Sequence, residues 1–124
     1  MNFFITLRHH SYINKIMLPL YVVSFTLQDK ESTRSENQFE QYIQPAVNHA
    51  TNLMGLISSG DKPVVSICHQ PILHAKIILS ASLGKSRAQH LIHIASDLGN
   101  LMSYELPDCV VSVKADKLVF GQEK

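Results

Sequence analysis

The sequence contains no tryptophan, only two cysteines and only five glycines among its 124 residues. Two cysteines cannot form the dense disulfide framework of a small secreted domain, so we expect a reducing compartment and a cytoplasmic protein. Charged residues make up only 17% of the chain, and the formal net charge is +1. We therefore expect no nucleic-acid partner, because proteins that bind nucleic acids usually present a basic surface.

Long apolar runs are also missing. The mostly apolar stretch from Ile16 to Leu27 covers twelve residues and contains Pro19, which makes it too short to cross a bilayer. We expect no membrane partner. An apolar content of 45% in a chain of this length is typical of one globular domain with its own core, and we assign residues 1–124 to it.

Hydrophobic periodicity gives an order of elements along the chain. A weakly alternating stretch at Asn2–Leu7 and a stretch rich in β-branched and aromatic residues at Leu20–Leu27 predict strands, and the polar segment Asp29–Asn37 predicts a loop. Helices are predicted at Gln38–Ser59, Pro71–Leu83 and Ser86–Tyr104, and strands at Val64–Cys68, Cys109–Val113 and Leu118–Phe120. The last two strands would form a hairpin around the polar residues 114–117.

The fold class follows from one short segment. Val64–Cys68 is apolar at nearly every position, which is typical of a strand buried on both faces of a parallel sheet. The order of elements then predicts an α/β domain with a mainly parallel central sheet, flanked by helices, and a C-terminal β-hairpin. Ligands of such sheets bind at the carboxyl ends of strands, where Cys68 would lie.

Cys68 is therefore the first candidate for chemistry. The strand pattern leads into Cys68, His69, Gln70 and Pro71, followed by a predicted helix, which is the pattern of a nucleophile elbow. A thiol at a helix N-terminus has a lowered pKa, because the helix dipole and free N–H groups stabilise the thiolate. The alternative from the residues alone is a small core residue at the end of a strand.

The segment Asp61–Leu73, with its core Lys-Pro-Val-Val-Ser-Ile-Cys-His, resembles the elbow signature of the ThiJ/PfpI superfamily, which has the class I glutamine amidotransferase-like fold. A second segment, Ser96 to Phe120, is similar in order to the later helix and hairpin of that family. The resemblance implies a partial flavodoxin-like sheet. It assigns residues 38–124 to the family and leaves residues 1–37 as divergent N-terminal strands and a polar loop.

The resemblance also implies an activity. Cys68 would be the nucleophile and His69 its general base or orienting partner, with no added cofactor and no metal. The substrate would be a small reactive aldehyde, its adduct on a protein, or a peptide, as in glyoxalases, deglycases and intracellular proteases. We expect a homodimer, since a half-sized sheet leaves apolar edges that need to be covered.

The chain also departs from the family pattern, which supports an alternative function. Gln70 replaces the glycine that follows Cys-His in the family, and residues 1–37 contain neither a glycine nor the family's glutamate partner of the cysteine. The alternative is a non-catalytic, diverged member that acts as a redox-responsive or protein-interaction module. Rapid labelling of Cys68 by thiol reagents would favour the enzyme.

Two other motifs give weaker indications of function. His74, His90 and His93 suggest a metal site, and His90 and His93 can share a helix face, but no Cys pair or acidic partner completes a metal-binding pattern, so we interpret them as part of a solvated or half-buried helix face. The stretch Gly84-Lys85-Ser86-Arg87 resembles part of a phosphate-binding loop. It lacks the preceding glycine-rich segment and a predicted strand before it, so we interpret it as a turn between two helices.

Overall fold

The structure, a computed structural model, describes residues 18–58 and 60–118. The predicted strand at Asn2–Leu7 lies outside these residues. The described part forms seven elements in the order β1 (Leu20–Asp29), α1 (Glu36–Tyr42), α2 (Gln44–Ile57), β2 (Val64–Cys68), β3 (His74–Ser82), α3 (Lys85–Glu105) and β4 (Cys109–Leu118).

The four described strands form one sheet in the order β2-β3-β1-β4, and every neighbouring pair is antiparallel. β1 is central: Leu20–Gln28 pairs with β3 on one side, and Leu20–Asp29 pairs with β4 on the other. This strand order, with two helical connections and one hairpin, is the split β-α-β arrangement of the ferredoxin-like fold.

The predicted fold class is therefore wrong. β1 and β2 do run in the same direction, since both are antiparallel to β3, but β3 lies between them and no described strand pair is parallel. The sheet is not a partial flavodoxin-like sheet. The reason is local: the chain after Cys68 returns immediately as a strand and does not cross over as a helix.

The segment that we predicted as a helix, Pro71–Leu83, contains β3. Buried and less buried residues alternate along His74–Ser82, and the buried set is Ala75, Ile77, Leu79 and Ala81. β3 pairs with β1 and with β2, so it is an interior strand. Strand pairing on both sides and burial of one face outweigh the helix propensity of its alanine, leucine and lysine residues.

The predicted C-terminal hairpin is also wrong, because Cys109–Leu118 is one continuous strand. Its polar residues 114–117 do not turn. They pair in register with β1, where Lys114 lies opposite Ser24 and Asp116 opposite Val22. The prediction failed because the polar run suggested a turn, although it contains none of the Gly, Asn or Pro residues that tight turns favour.

Two other predicted elements are confirmed with changed bounds. The helical pattern at Gln38–Ser59 is broken at Ile43 into α1 and α2, where Pro45 lies in the first turn of α2. Ser35 starts α1 with a reciprocal capping box that includes Gln38. The helix predicted at Ser86–Tyr104 is α3.

One apolar core lies between the helices and one face of the sheet. α2 packs mainly on β3, and α3 packs on β4 and β1. The core face of β1 contributes Tyr21, Val23, Phe25 and Leu27, and Gly99 lets α3 approach Val113 of β4 closely. The opposite face of the sheet has no described helix on it. None of the described helices is long and apolar enough to cross a bilayer.

Candidate interaction surface

Cys68 lies at the end of β2 with its side chain exposed. The chain bends through Gln70–Ile72 and continues as β3, so the next described element after Cys68 is a strand and not the helix that we predicted. The Sγ atom lies 3.7 Å from the carbonyl oxygen of Gln70. The nucleophile elbow that we predicted is wrong, because its defining strand-to-helix turn is replaced by a hairpin.

His69 is placed beside a different residue from the one we expected. Its Nε2 atom lies 3.4 Å from Oε2 of Glu36, the first residue of α1, and both side chains are about half exposed. No hydrogen bond joins His69 to Cys68 within the described ranges. The role of His69 as a base for Cys68 therefore remains a prediction without a contact to support it.

Sequence reasoning missed the histidine that does lie next to Cys68. His74 is the cross-strand partner of Cys68 in the β2–β3 pair, and its Nδ1 atom lies 2.7 Å from the carbonyl oxygen of Ile72. Directly opposite residues in antiparallel strands have Cβ atoms about 5 Å apart. The signal that could have found this pair is the alternation along residues 74–82. It predicts a strand, and a strand there can pair with Val64–Cys68 and bring His74 opposite Cys68.

β2 is an edge strand, and it is not buried as predicted. It pairs with β3 on one side, and among the described strands it has no neighbour on the other. Four of its five residues are exposed, including Val64 at 63%, and Ile67 is partly buried against the core. No charged residue or proline interrupts Val64–Cys68. The outward N–H and C=O groups of this strand are thus a template for another strand.

The other edge strand, β4, has a different composition. It is twice as long, and its exposed residues include Lys114, Asp116 and Lys117, with the first two 3.9 Å apart. Charged side chains on an edge strand disfavour pairing with another chain. The charged side chains of β4 therefore disfavour pairing with another chain, whereas β2 has no such charges.

The uncovered face of the sheet mixes small hydroxyl, aliphatic and charged side chains. The register aligns Ser66, Lys76, Thr26 and Ser112 in one row across all four strands. None of the described strand residues on this face is Phe, Tyr or Trp, since Tyr21 and Phe25 lie on the core face. A sheet that binds single-stranded RNA usually stacks bases on several exposed aromatic rings. The described part of this face offers one histidine ring, that of His74.

A polar cleft of about 700 Å³ lies where the loop after β1 meets the loop before β4. Arg34 lies there, with Nη1 3.1 Å from Oδ1 of the fully buried Asp29 and Nη2 2.8 Å from Oδ2 of Asp108. The guanidinium group also stacks 4.0 Å above the ring of Tyr42. Because two carboxylates already bind Arg34, we assign this cluster a structural role in joining the two loops.

The described residues contain no cluster of three or more histidine, cysteine, aspartate or glutamate side chains that could hold a metal ion. His90 and His93 are exposed on α3, as expected for a solvated helix face. Cys109 is buried beside Asp29, its partner in the β1–β4 register. Burial raises the pKa of the Cys109 thiol from 9.0 to about 11, and the negative charge of Asp29 adds to this shift.

Comparison with known proteins supports the fold and corrects the resemblance. No protein-family model and no curated protein matches the chain. The de novo designed protein Foldit4 matches 78% of this chain and 96% of its own, with a TM-score of 0.50 and 10% identity. At this level of identity the likeness shows the fold alone.

Two further solved structures have lower TM-scores. The de novo designed protein LFR1 1 with ferredoxin fold has a TM-score of 0.46 and 11% identity, covering 87% of this chain and 92% of its own. A dimeric ferredoxin-like protein from an uncultured marine organism has a TM-score of 0.49 and 12% identity, covering 90% of this chain and 96% of its own. The ThiJ/PfpI resemblance is wrong: Ser96–Leu98 lies inside α3, and the supposed hairpin is β4.

Proposed function

We propose that this protein is a non-catalytic interaction module that pairs with a second copy of itself through the β2 edge. The observation that carries the proposal is the exposed, uncharged strand Val64–Cys68 with one side free of any described strand. Extended segments recognise such edges by adding a strand, in which main-chain hydrogen bonds supply affinity. The charged residues of β4 favour β2 over the opposite edge.

A second copy is the occupant that best fits the strand. Two β2 strands related by a two-fold axis at Ser66 would pair antiparallel over their full length. Val64 would then lie opposite Cys68 of the partner, and Val65 opposite Ile67 of the partner. Opposite residues in such a pair share a face of the sheet, so apolar side chains meet apolar side chains on the core side. The strand is therefore complementary to itself.

The expected dimer is reversible. Pairing over five residues on each side covers roughly 600 Å², which is below the roughly 1,200 Å² of a standard stable interface. We therefore expect a dissociation constant in the micromolar range or weaker, on the order of 10⁻⁶ to 10⁻⁴ M. Cysteine chemistry on an aldehyde or a peptide stays a prediction, since the strand-to-helix turn expected after Cys68 is a hairpin.

Glutamate at the β2 edge tests the proposal. In the monomer, Ser66→Glu places the new carboxylate opposite Lys76, so the fold is retained. In the dimer, two such carboxylates would face each other across the axis. We expect analytical ultracentrifugation to show that S66E weakens the dimer at least about tenfold, because like charges directly opposite are unfavourable.

Two matched variants separate the surfaces. Ser66, Lys76, Thr26 and Ser112 form one row on the uncovered face. Ser112→Glu adds the same charge at the β4 end of this row. Thr26→Glu adds it on the central strand β1. Pairing through β2 predicts that both of these variants dimerise like the wild-type protein. Loss of dimer in all three variants would place the contact on the sheet face. Monomeric wild-type protein at millimolar concentration would disprove self-association.

A further inference from the structure

A groove of about 340 Å³ lies between the end of α2 and the first half of α3, and only these two helices line it. Two of its lining side chains, Leu53 and Leu91, belong to the buried core. Two others face solvent: Leu56 of α2 is 75% exposed, and Ile94 of α3 is 36% exposed. Exposed apolar side chains that line a groove favour a ligand with an apolar part.

The start of α3 gives the groove a polar end. β3 ends at Ser82 and α3 begins at Lys85, so the motif Gly84-Lys85-Ser86-Arg87 is a strand-to-helix turn and not the turn between two helices that we predicted. Arg87 lines the groove and forms no salt bridge with any described residue, and none of the lining residues is acidic. Its guanidinium group is therefore available to an anionic ligand.

The cationic and apolar parts of the groove are separated along α3. Leu91 and Ile94 follow Arg87 at four and seven positions, so the three residues lie on one face of the helix. Arg87 and Ile94 are two turns apart, which is about 10 Å along the helix axis. The groove thus has the charge at one end and exposed apolar surface toward the other, which is complementary to an amphiphilic anion.

The size and charge of the groove select one kind of ligand. Its volume is near the lower limit of small-molecule sites, roughly 300–1,000 Å³, and suits a single alkyl chain better than a partner helix about 10–12 Å wide. One guanidinium group holds a carboxylate through two parallel hydrogen bonds. We propose that the groove binds a free medium-chain fatty acid, with the carboxylate at Arg87 and the alkyl chain against Leu56 and Ile94.

Titration of the ¹⁵N-labelled full-length chain with hexanoate and octanoate tests this site. We expect saturable shifts of the amide signals of Leu56, Arg87, His90 and Ile94. Octanoate should bind about fivefold tighter than hexanoate, because it buries up to two more methylene groups. 1-Octanol, which carries no charge, should bind about tenfold more weakly than octanoate. Equal affinity for the two acids, equal affinity for octanol, or unchanged signals up to about 5 mM octanoate would overturn the proposal.

Arg87 and Lys85 are a matched pair of cations in the first turn of α3, and of the two only Arg87 lines the groove. We expect R87M to weaken octanoate binding about tenfold and K85M to leave it unchanged. Equal losses in the two variants would show a general charge effect and overturn the proposal. Binding of the protein to phosphatidylglycerol vesicles without saturable binding of octanoate would identify a lipid surface as the occupant and also overturn it.

Two exposed leucines provide the matched pair for the alkyl chain. Leu56 lines the groove, whereas Leu101 is 39% exposed on α3 outside it. We expect L56S to weaken octanoate binding several-fold and L101S to leave it unchanged, because only the first removes apolar surface that the chain covers. Circular dichroism checks that both variants are folded. Wild-type affinity in L56S would disprove the apolar contact and with it the proposed ligand.

Discussion

At the scale of single residues, one glycine sets how closely a helix approaches the sheet. A Cβ atom on Gly99 of α3 would overlap with Cγ2 of Val113 on β4. We expect Gly99→Ala to lower the free energy of unfolding by about 1–3 kcal/mol, because overpacking forces backbone or rotamer shifts. Urea denaturation followed by circular dichroism measures the change.

Gly55 in α2 is the matched control for Gly99. A Cβ atom there meets no heavy atom within 4 Å, and the position is exposed. Gly55→Ala should therefore raise the free energy of unfolding by about 0.5–1 kcal/mol through the higher helix propensity of alanine. Equal effects of the two substitutions would contradict a close contact at Gly99. The double variant G99A/V113A should recover part of the loss.

Arg34 neutralises the buried carboxylate of Asp29, whose Oδ2 atom has no hydrogen-bond partner within the described part of the chain. We expect Arg34→Ala to cost on the order of 3 kcal/mol of unfolding free energy, since it leaves a buried charge without its cation. Asp108→Ala removes the exposed partner of the same guanidinium group and should cost less than about 1 kcal/mol. Thermal and urea denaturation check both values, and a larger cost for D108A would contradict this assignment.

Cys109 makes the stability depend on alkaline pH. Burial raises the pKa of its thiol from 9.0 to about 11, so the folded state holds the proton more tightly than the unfolded state. This contribution is complete below pH 9 and is lost as the pH rises to about 11. It amounts to about 3 kcal/mol. Cys109→Ala should lower stability at neutral pH but flatten its decline between pH 9 and 11, as urea denaturation at each pH will show. Parallel pH profiles would contradict it.

At the scale of elements, the helices and strands that could be predicted are those whose hydrophobic pattern agrees with their burial in the fold. Leu20–Leu27 is rich in β-branched and aromatic residues and forms β1, which buries alternate residues, and α3 keeps one apolar stripe. β3 also alternates, but Ile78 lies on the uncovered face and masks the period. The pairing of β3 with β1 joins residues 46 to 62 positions apart and is not visible in a local window.

The candidate sites depend on the same long-range pairing. Cys68 was predicted at a strand end, which is confirmed, but its environment is set by the segment after Pro71. A helix there would have placed N–H groups at the sulfur; a strand places His74 beside it instead.

At the scale of the whole molecule, the proposed dimer has a defined register that a disulfide can trap. If two β2 strands pair about Ser66, a cysteine introduced by Val64→Cys lies opposite the natural Cys68 of the partner. Directly opposite Cβ atoms are about 5 Å apart, close to the spacing that a disulfide needs.

We expect mild oxidation of V64C to give a dimer on non-reducing gels, and V64C/C68S to stay monomeric there, because its cysteines would face serines. Buried Cys109 serves as an internal check, since it should remain a free thiol in both variants.

Val110→Cys, an exposed residue on the opposite edge strand, should give no rapid dimer. Faster cross-linking through β4 than through β2, or equal cross-linking of V64C/C68S, would show that the β2 strands do not pair in this register. The same oxidation should be repeated at protein concentrations above and below the dissociation constant. The extent of cross-linking saturates with concentration for a specific dimer, whereas cross-linking by random collision does not saturate.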